Sequence, residues 1–473
     1  MKRSRRKAPR KQTYQPGNEI AFQPRNAREL AFRILDKHFR TDEFASRILE
    51  QLRQSTTLDE REIRLSMEMV YTVIRRQSTL NAVLEQYVAR ARHQVEGQLW
   101  TLLQLGVTQL IFLDSIPRHA AIHETVEVAK RLGRRGWPGF LNGVLRALNR
   151  DLTDETTDAA ASNAVPLVQN RFRVLKRDVF PDPSADVVSW FSRAFSFPQW
   201  LAVRWSDRLQ PAELFQMGFW FNAPPSLTLR INLLKTTREN SLQLLTENKI
   251  TAHAGQHSAA VILNQTTDVT RLPGFSEGLF SVQDESAMNV ADLLDPQPGE
   301  TVLDMCAAPG TKTTHLAERM QNQGRILATD IKQKRLRHVR ENAERFGLGI
   351  IHPVLIQPGL MPTDANTFDA ALVDAPCSNT GVLGKRPEAR WRLHERELPE
   401  LAALQKQLLN SACDSVRPGG RVVYSTCSIE PDENSEVVRN ILEKRSDMSL
   451  VRECEFSPGN PFDGGYQALL QRS

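Results

Sequence analysis

Two cysteines sit in sharp loops directly after apolar runs. Cys377 lies in the segment DAPCSNTG, from Asp374 to Gly381, and Cys427 in STCSIEPDEN, from Ser425 to Asn434. A thiolate is the nucleophile best suited to attack an electron-poor ring carbon near neutral pH. If the two apolar runs are strands ending at one edge of a sheet, both thiols face one pocket. The chain has five cysteines, at 306, 377, 413, 427 and 454, and no CxxC pair. That spacing argues against a structural zinc site and against a disulfide framework. A free cysteine is often only a small buried side chain. Two of them at strand-end loops, one beside Asp374-Ala-Pro376 and the other between Thr426 and Ser428, favour chemistry.

A second motif offers a ligand site. The run VLDMCAAPGTKTTHLAE, Val302 to Glu318, begins as a strand, turns through Ala307-Ala308-Pro309-Gly310 and enters a helix. Such a turn lets backbone approach a ligand, and the helix N-terminus exposes its N–H groups there. The spacing is neither the GxGxxG dinucleotide fingerprint nor the GxxxxGK phosphate loop. The next strand ends at Asp330, where a carboxylate can accept from both hydroxyls of a ribose. A nucleoside cofactor without a pyrophosphate fits this set, and S-adenosylmethionine is the natural candidate. Asp304 also reads as an ordinary strand-end cap. Lys312 opposes the helix dipole, which favours a functional role for it.

With a methyl donor in place, the cysteines acquire a definite task. C5 of cytosine is a poor nucleophile, and a thiolate added at C6 turns the ring into an enamine whose C5 attacks an electrophilic methyl group. The adduct must then lose the C5 proton and expel the cysteine. Asp374, one turn from Cys377, is placed to hold N3 and the exocyclic amine as charge develops. Spacing alone leaves the roles of the two cysteines interchangeable.

Four segments together resemble the RNA cytosine-C5 methyltransferases: LDMCAAPGTKT, DAPCSNTG, KRPEARW at Lys385 to Trp391, and YSTCSIEPDEN. The helical block before them, including LNGVLRALNR at Leu141 to Arg150, resembles the RNA-binding NusB domain. The whole arrangement, over about residues 25 to 470, resembles the subfamily that methylates cytosine 967 of 16S ribosomal RNA. The resemblance implies that Cys427 is the nucleophile and that Cys377 assists release of the product. It implies a cofactor site built from Asp304, Cys306, Ala307, Ala308, Pro309, Gly310, Lys312, Asp330, Arg335 and Asp374. Lys312 would lie near the cofactor carboxylate or the reacting base, while Arg335 reads equally well as structural. One departure stands out. Pro358 falls where the family commonly carries an aspartate near the adenine, and proline supplies neither the carboxylate nor a backbone N–H.

An alternative function is a non-catalytic RNA-binding or ribosome-assembly factor on a methyltransferase scaffold, supported by the basic tail, the front bundle and Pro358. Amino-group methylation would ask for an Asn/Asp-Pro-Pro-aromatic loop, and this chain has Asp374-Ala-Pro-Cys377 instead.

These residues need a framework to hold them. At 473 residues the chain exceeds one core, so several domains are expected. Residues 1–24 read as a disordered tail; its first eleven residues, MKRSRRKAPRK, hold seven basic groups and no acid. Residues 25–152 carry helical periodicity throughout, densest in Leu99 to Leu113, and predict an all-helical bundle. His119 and His123 lie four apart there but have no third ligand, so they read as plain surface or core histidines. Residues 153–169 are rich in Asp, Thr, Ser and Ala and read as a linker. Residues 170–283 predict a small α+β domain. Residues 284–473 alternate strand and helix signals and predict a Rossmann-like, mostly parallel, doubly wound sheet. Its expected strands are 301–304, 325–329, 351–355, 370–373 and 421–424. No apolar run is long enough to cross a bilayer and no secretory signal follows the basic tail. The expectation is a cytoplasmic monomer with ribosomal RNA as its partner. The net charge of +6 permits nucleic acid without requiring it.

Overall fold

A computed structural model describes residues 23–53, 55–168, 170–264, 268–357, 365–459 and 462–473. Most of the basic tail and Pro358 lie outside these residues. The chain divides into two compact units, one ending at Ala223 and the other beginning at Pro224. No described helix is long and apolar enough to cross a membrane.

The first unit opens with helices α1 (Ala27–Thr41), α2 (Ala45–Arg53), α3 (Glu60–Arg75), α4 (Gln77–Glu85), α5 (Gly97–Phe112), α6 (Arg118–Arg131) and α7 (Trp137–Asp151). Asn26 and Asp59 cap α1 and α3 by accepting from Glu29 N and Glu62 N. α5 is apolar on most faces because it runs through the centre, with Leu102, Leu103, Leu105, Val107 and Ile111 buried.

The segment expected as a linker is instead structured. Strands β1 (Leu152–Thr157), β2 (Ala164–Pro166) and β3 (Phe172–Leu175) form an antiparallel sheet in the order β1-β3-β2. Only Leu152 of β1 is buried, and its sequence LTDETT carries no apolar alternation to reveal it. Helices α8 (Val187–Ala194), α9 (Gln199–Ser206) and α10 (Pro211–Asn222) follow. They pack an aromatic cluster in which Trp190, Phe191, Phe195, Phe197 and Trp205 are buried.

In the second unit β4 (Leu227–Ile231), α11 (Arg238–Glu247), β5 (Ala252–Ala254), β6 (Ala260–Leu263) and β7 (Phe280–Val282) make a four-stranded antiparallel sheet with one helix, in the order β5-β6-β4-β7. The stretch expected as one α+β domain is thus divided between the units, its helices α8–α10 falling in the first. Next come α12 (Glu285–Leu294), β8 (Thr301–Asp304), α13 (Thr311–Arg319), β9 (Arg325–Asp330), α14 (Gln333–Phe346), β10 (Ile351–Leu355) and β11 (Phe368–Asp374). The one-turn α15 (Ala389–Arg392), α16 (Leu398–Ser415), β12 (Val416–Thr426), α17 (Ser435–Lys444), β13 (Met448–Phe456) and β14 (Gly465–Arg472) complete the chain.

Seven strands order as β10-β9-β8-β11-β12-β14-β13, the first five parallel and the last two antiparallel. Alternate residues face two cores. Val302, Leu372 and Val423 face α12–α14, while Leu303, Val373 and Tyr424 face α16 and α17. The five parallel strands coincide with the five expected from sequence, give or take their ends. β13 and β14 were not expected, and in β13 the reason is visible: MSLVRECEF is an edge strand with five consecutive exposed residues.

Arg230 fastens the smaller sheet to the larger one. Fully buried on β4, it donates from Nη2 to Glu318 Oε1 at 2.7 Å and Thr314 Oγ1 at 3.0 Å on α13. Its Nη1 donates to Thr311 O at 2.8 Å and to Gln283. Breaking one side of a buried ion pair strands the other charge. We expect Arg230→Ala to cost about 3–5 kcal/mol in urea unfolding, and Arg230→Met with Glu318→Leu to recover most of it. A double variant no more stable than Arg230→Ala would contradict this account.

Candidate active site

Strand register assembles the site. β11 and β12 run parallel with Asp374 opposite Ser425, so the residues three and two positions later, Cys377 and Cys427, emerge side by side. Their sulfurs lie 3.3 Å apart as free thiols, each half-buried. On the other side of β11, Leu372 pairs with Asp304 of β8, and Asp304 pairs with Ala328 of β9. The C-terminal ends of β9, β8, β11 and β12 therefore present Asp330, Asp304, Asp374 and Cys427 along one edge. Strand order reverses between β8 and β11, the place where open α/β sheets bind ligands.

The cysteine loops are held by many short bonds. Gly381 N donates to Cys427 O at 3.0 Å, and Gly464 N to Gly381 O at 2.9 Å. A Cβ on Gly381 would meet Gly464 O at 2.3 Å, so only glycine fits the end of DAPCSNTG. Asn379 adopts a left-handed conformation with φ 61°. Its Nδ2 donates to Cys377 O at 2.8 Å, and its Oδ1 accepts from Arg386 Nη1 at 2.7 Å. That same Oδ1 lies 3.3 Å from Cys427 Sγ.

The two thiols are electrostatically unequal. The hydrogen bond from Cys377 favours a thiolate at Cys427 and, with help from Arg386 and Lys312, outweighs burial and Asp374, so the Cys427 pKa falls below the ordinary thiol value. For Cys377 the same hydrogen bond, then burial, then the charges of Cys427 and Glu433 push the pKa well up. The shifts run in opposite directions, so of the two thiols Cys427 is the easier to ionise.

Lys312 Nζ pairs with Asp374 Oδ2 at 2.8 Å. Burial works against the Lys312 charge, but Asp374, Cys427 and Asp304 outweigh it and leave its pKa above the ordinary lysine value. This pairing accounts for a cation in the first turn of α13, where the helix dipole disfavours it.

The turn after β8 is fixed from several sides. The Ala308–Pro309 peptide is cis, and Gly310 takes φ 102° where its missing Cβ avoids Val339. Ala307 N donates to Thr329 O at 2.9 Å. Arg335 Nη2 donates to Ala308 O at 2.6 Å, and its Nη1 pairs with Asp330 Oδ2 at 3.3 Å. Arg335 thus braces the turn, which is the structural half of its two sequence readings. Cys306 is partly buried beside this turn, and burial pushes its thiol pKa up.

Asp304 is the unusual group here. Its Oδ2 accepts from Thr313 Oγ1 at 2.6 Å, while buried Oδ1 has no hydrogen-bond partner among the described residues. Burial pushes the carboxyl up to about 7; Asp374 adds to the rise, and Thr313, Lys312 and the Cys306 backbone N–H oppose it. An orphaned buried carboxylate oxygen beside the N-terminus of α13 suits a ligand that is both cationic and rich in polar groups, as S-adenosylmethionine is.

Sequence reading did not find the residues that tie the loops together. Ser378, Ser428, Gln405 and Glu433 form a buried polar group behind the cysteines. The only signal was the serine following each cysteine; Glu433 sits in the acidic run EPDEN, which reads as a solvated turn.

A seven-stranded sheet with this edge defines an S-adenosylmethionine-dependent methyltransferase. A family model described as 16S rRNA methyltransferase RsmB/F matches residues 291–467, and a NusB family model matches residues 25–150. A model of the ferredoxin-like domain of RsmF/B-like methyltransferases matches residues 197–270. The chain is 36% identical to the probable ribosomal RNA small subunit methyltransferase B of Synechocystis sp., over 89% of this chain and 90% of that one. It is 34% identical to the ribosomal RNA small subunit methyltransferase B of Serratia proteamaculans, over 94% and 95%. The chain belongs to the ribosomal RNA small subunit methyltransferase B family. Among solved structures PH0851 shares the fold, with a TM-score of 0.74 at 24% identity, covering 96% of this chain and 100% of that one.

The inequality of the thiols has a direct readout. Thiolates react and thiols do not, so iodoacetamide should alkylate Cys427 well before Cys377 at neutral pH. Cys377→Ala should move the Cys427 rate profile to higher pH, as followed by peptide mass spectrometry. Equal rates at the two cysteines would contradict the assignment.

Proposed function

We propose that this protein methylates C5 of a cytosine in small-subunit ribosomal RNA, with Cys427 as the nucleophile and Cys377 assisting release. The observation that carries this reading is the pair of free thiols 3.3 Å apart at the ends of β11 and β12. The names of the relatives supply the substrate class, and resemblance to their subfamily supplies cytosine 967 of 16S RNA as the position. When bound, S-adenosylmethionine supplies an electrophilic methyl group.

The chain's own residues do the rest. Cys427, as its thiolate, adds to C6 of the unstacked base, and the electron pair of the C5–C6 bond becomes available at C5. Asp374, held by Lys312, is assigned to the N3 and amino edge of the ring. After methylation, loss of the C5 proton to a base re-forms the double bond and expels Cys427 as thiolate. The Cys377 thiol that stabilises this thiolate in the free enzyme also stabilises it as a leaving group. Asp304, Asp330 and the Ala307–Gly310 turn are the residues we assign to the cofactor, with the unpartnered Asp304 Oδ1 facing positive charge.

Two experiments follow. Asp304 is protonated below about 7 in the free protein, and a cationic donor requires its carboxylate form. Donor binding should therefore release a proton in mildly acidic buffer, and affinity should rise with pH, by up to about tenfold per unit, and flatten above about 7. Calorimetry in buffers of different ionisation enthalpy reads the proton, and Asp304→Asn should abolish the pH dependence; a flat wild-type profile would count against Asp304 as the contact.

For the cysteines, Cys427→Ala should reduce methyl transfer below detection. Cys377→Ala should instead trap a protein–RNA adduct that survives denaturing electrophoresis. Normal turnover by the Cys427→Ala protein would overturn the mechanism, and bisulfite mapping of ribosomal RNA with and without the protein tests the position.

A further inference from the structure

Behind the two thiols lies a carboxylate that the reaction as written does not use. Glu433 is fully buried, on the single turn Pro431–Glu433 that follows the Cys427 loop. It has no ion-pair partner among the described residues, although a buried carboxylate without one is costly. Four donors converge on it instead. Oε1 accepts from Ser378 N at 2.9 Å and from Gln405 Nε2 at 3.0 Å. Oε2 accepts from Ser428 Oγ at 2.5 Å and from Ser378 Oγ.

Those donors flank the thiols. Ser378 follows Cys377, and Gln405 also donates to Pro376 O at 2.9 Å on the other side of it. Ser428 follows Cys427. The two serine hydroxyls lie 3.1 Å from each other, and Thr380 Oγ1 bridges them at 3.3 and 3.1 Å. The turn that carries Glu433 is itself anchored, because Tyr424 Oη on β12 donates to Glu433 O at 2.5 Å. Both cysteine loops are thus tied through one side chain to the strand between them and the core.

We propose that Glu433 is a positioning residue for the cysteine chemistry, its carboxylate clamping the two loops so that the thiols meet in hydrogen-bonding range. This rests on the reading of Cys427 and Cys377 given above. Its charge matters as well as its shape, since Glu433 is one of the groups that keep the proton on Cys377. Shape and charge can be separated. In Glu433→Gln the amide oxygen still accepts from Ser378 N and Gln405, and the serine hydroxyls can turn to accept from the new N–H group. The frame survives and the charge is lost.

The test compares Glu433→Gln, Glu433→Ala and the double variant Ser378→Ala/Ser428→Ala with wild type and Cys427→Ala. Four quantities are read: thermal midpoint, donor affinity, kcat for methyl transfer, and the ratio of Cys377 to Cys427 alkylation by iodoacetamide. We expect Glu433→Gln to keep its midpoint and donor affinity, lose at least tenfold in kcat, and raise the alkylation ratio several-fold. The double serine variant should lose kcat with donor affinity unchanged, and it decides the role of the clamp if Glu433→Ala does not fold. A double serine variant with wild-type kcat overturns the clamp, and a Glu433→Gln protein with wild-type kcat and ratio overturns the part assigned to its charge. So does a loss of kcat with an unchanged ratio, which is what a merely structural role gives. The alkylation ratio needs neither RNA nor donor: an active Cys427→Ala enzyme would defeat the catalytic reading, whereas a dead one beside a normal Glu433→Gln defeats only this inference.

Discussion

The site depends on one feature of the sheet, the parallel pairing of β11 with β12 that sets Asp374 opposite Ser425. A strand has no freedom to place its end residues independently of its neighbour, because each ladder bond fixes the register of the next. Both strands are buried on both faces, so a one-residue slip would exchange Val373 and Tyr424 with residues that face the opposite core. The hydrophobic packing of two layers thereby sets the distance between two thiols that lie 50 residues apart in the chain. The same register carries Asp374 toward Lys312, because β11 also pairs with β8, whose following helix holds that lysine.

The charges along this edge are mutually dependent. Asp304, Asp330 and Asp374 converge at the strand ends, and three carboxylates in a partly buried edge repel one another unless cations or protons intervene. Arg335 answers Asp330 and Lys312 answers Asp374, which leaves Asp304 with a raised pKa and with Oδ1 lacking a side-chain partner among the described residues. An edge arranged in this way is electrostatically incomplete by itself. In the proposed reading a cationic methyl donor completes it, so the strand order that aligns the thiols would also serve the donor.

Much of this was legible in the chain, and the rest was hidden for identifiable reasons. β8 and β9 are buried on both faces and read as apolar runs, so β8 could be bounded from sequence alone and β9 to within a residue. β10 is an exposed edge strand whose residues Ile351, Val354 and Leu355 still marked it. β1 and β13 could not be read, because LTDETT holds a single apolar residue and MSLVRECEF breaks its alternation at Val451 and Arg452. The Ala307–Gly310 turn and both cysteine loops stood out by composition. The difference between the cysteines did not, since it arises from Arg386, Lys312, Asp374 and Glu433, groups that converge only when the sheet is formed. Resemblance to a family assigned the roles, and the electrostatics supply an independent reason for the same order.

That difference bears on why an enzyme of this kind would carry two thiols. One cysteine alone meets conflicting demands: it must be a thiolate to attack C6, yet a stable thiolate is a poorer nucleophile and a better leaving group, so gains in one step are losses in the other. A second thiol 3.3 Å away can relax the conflict by donating a hydrogen bond whose strength follows the charge on its partner. In the proposed cycle the charge on Cys427 vanishes as it becomes a thioether and the bond weakens; as the thioether breaks, charge returns and the bond re-forms. Holding the proton on Cys377 throughout is what allows this response, and a nearby buried carboxylate is a simple electrostatic means of holding it there.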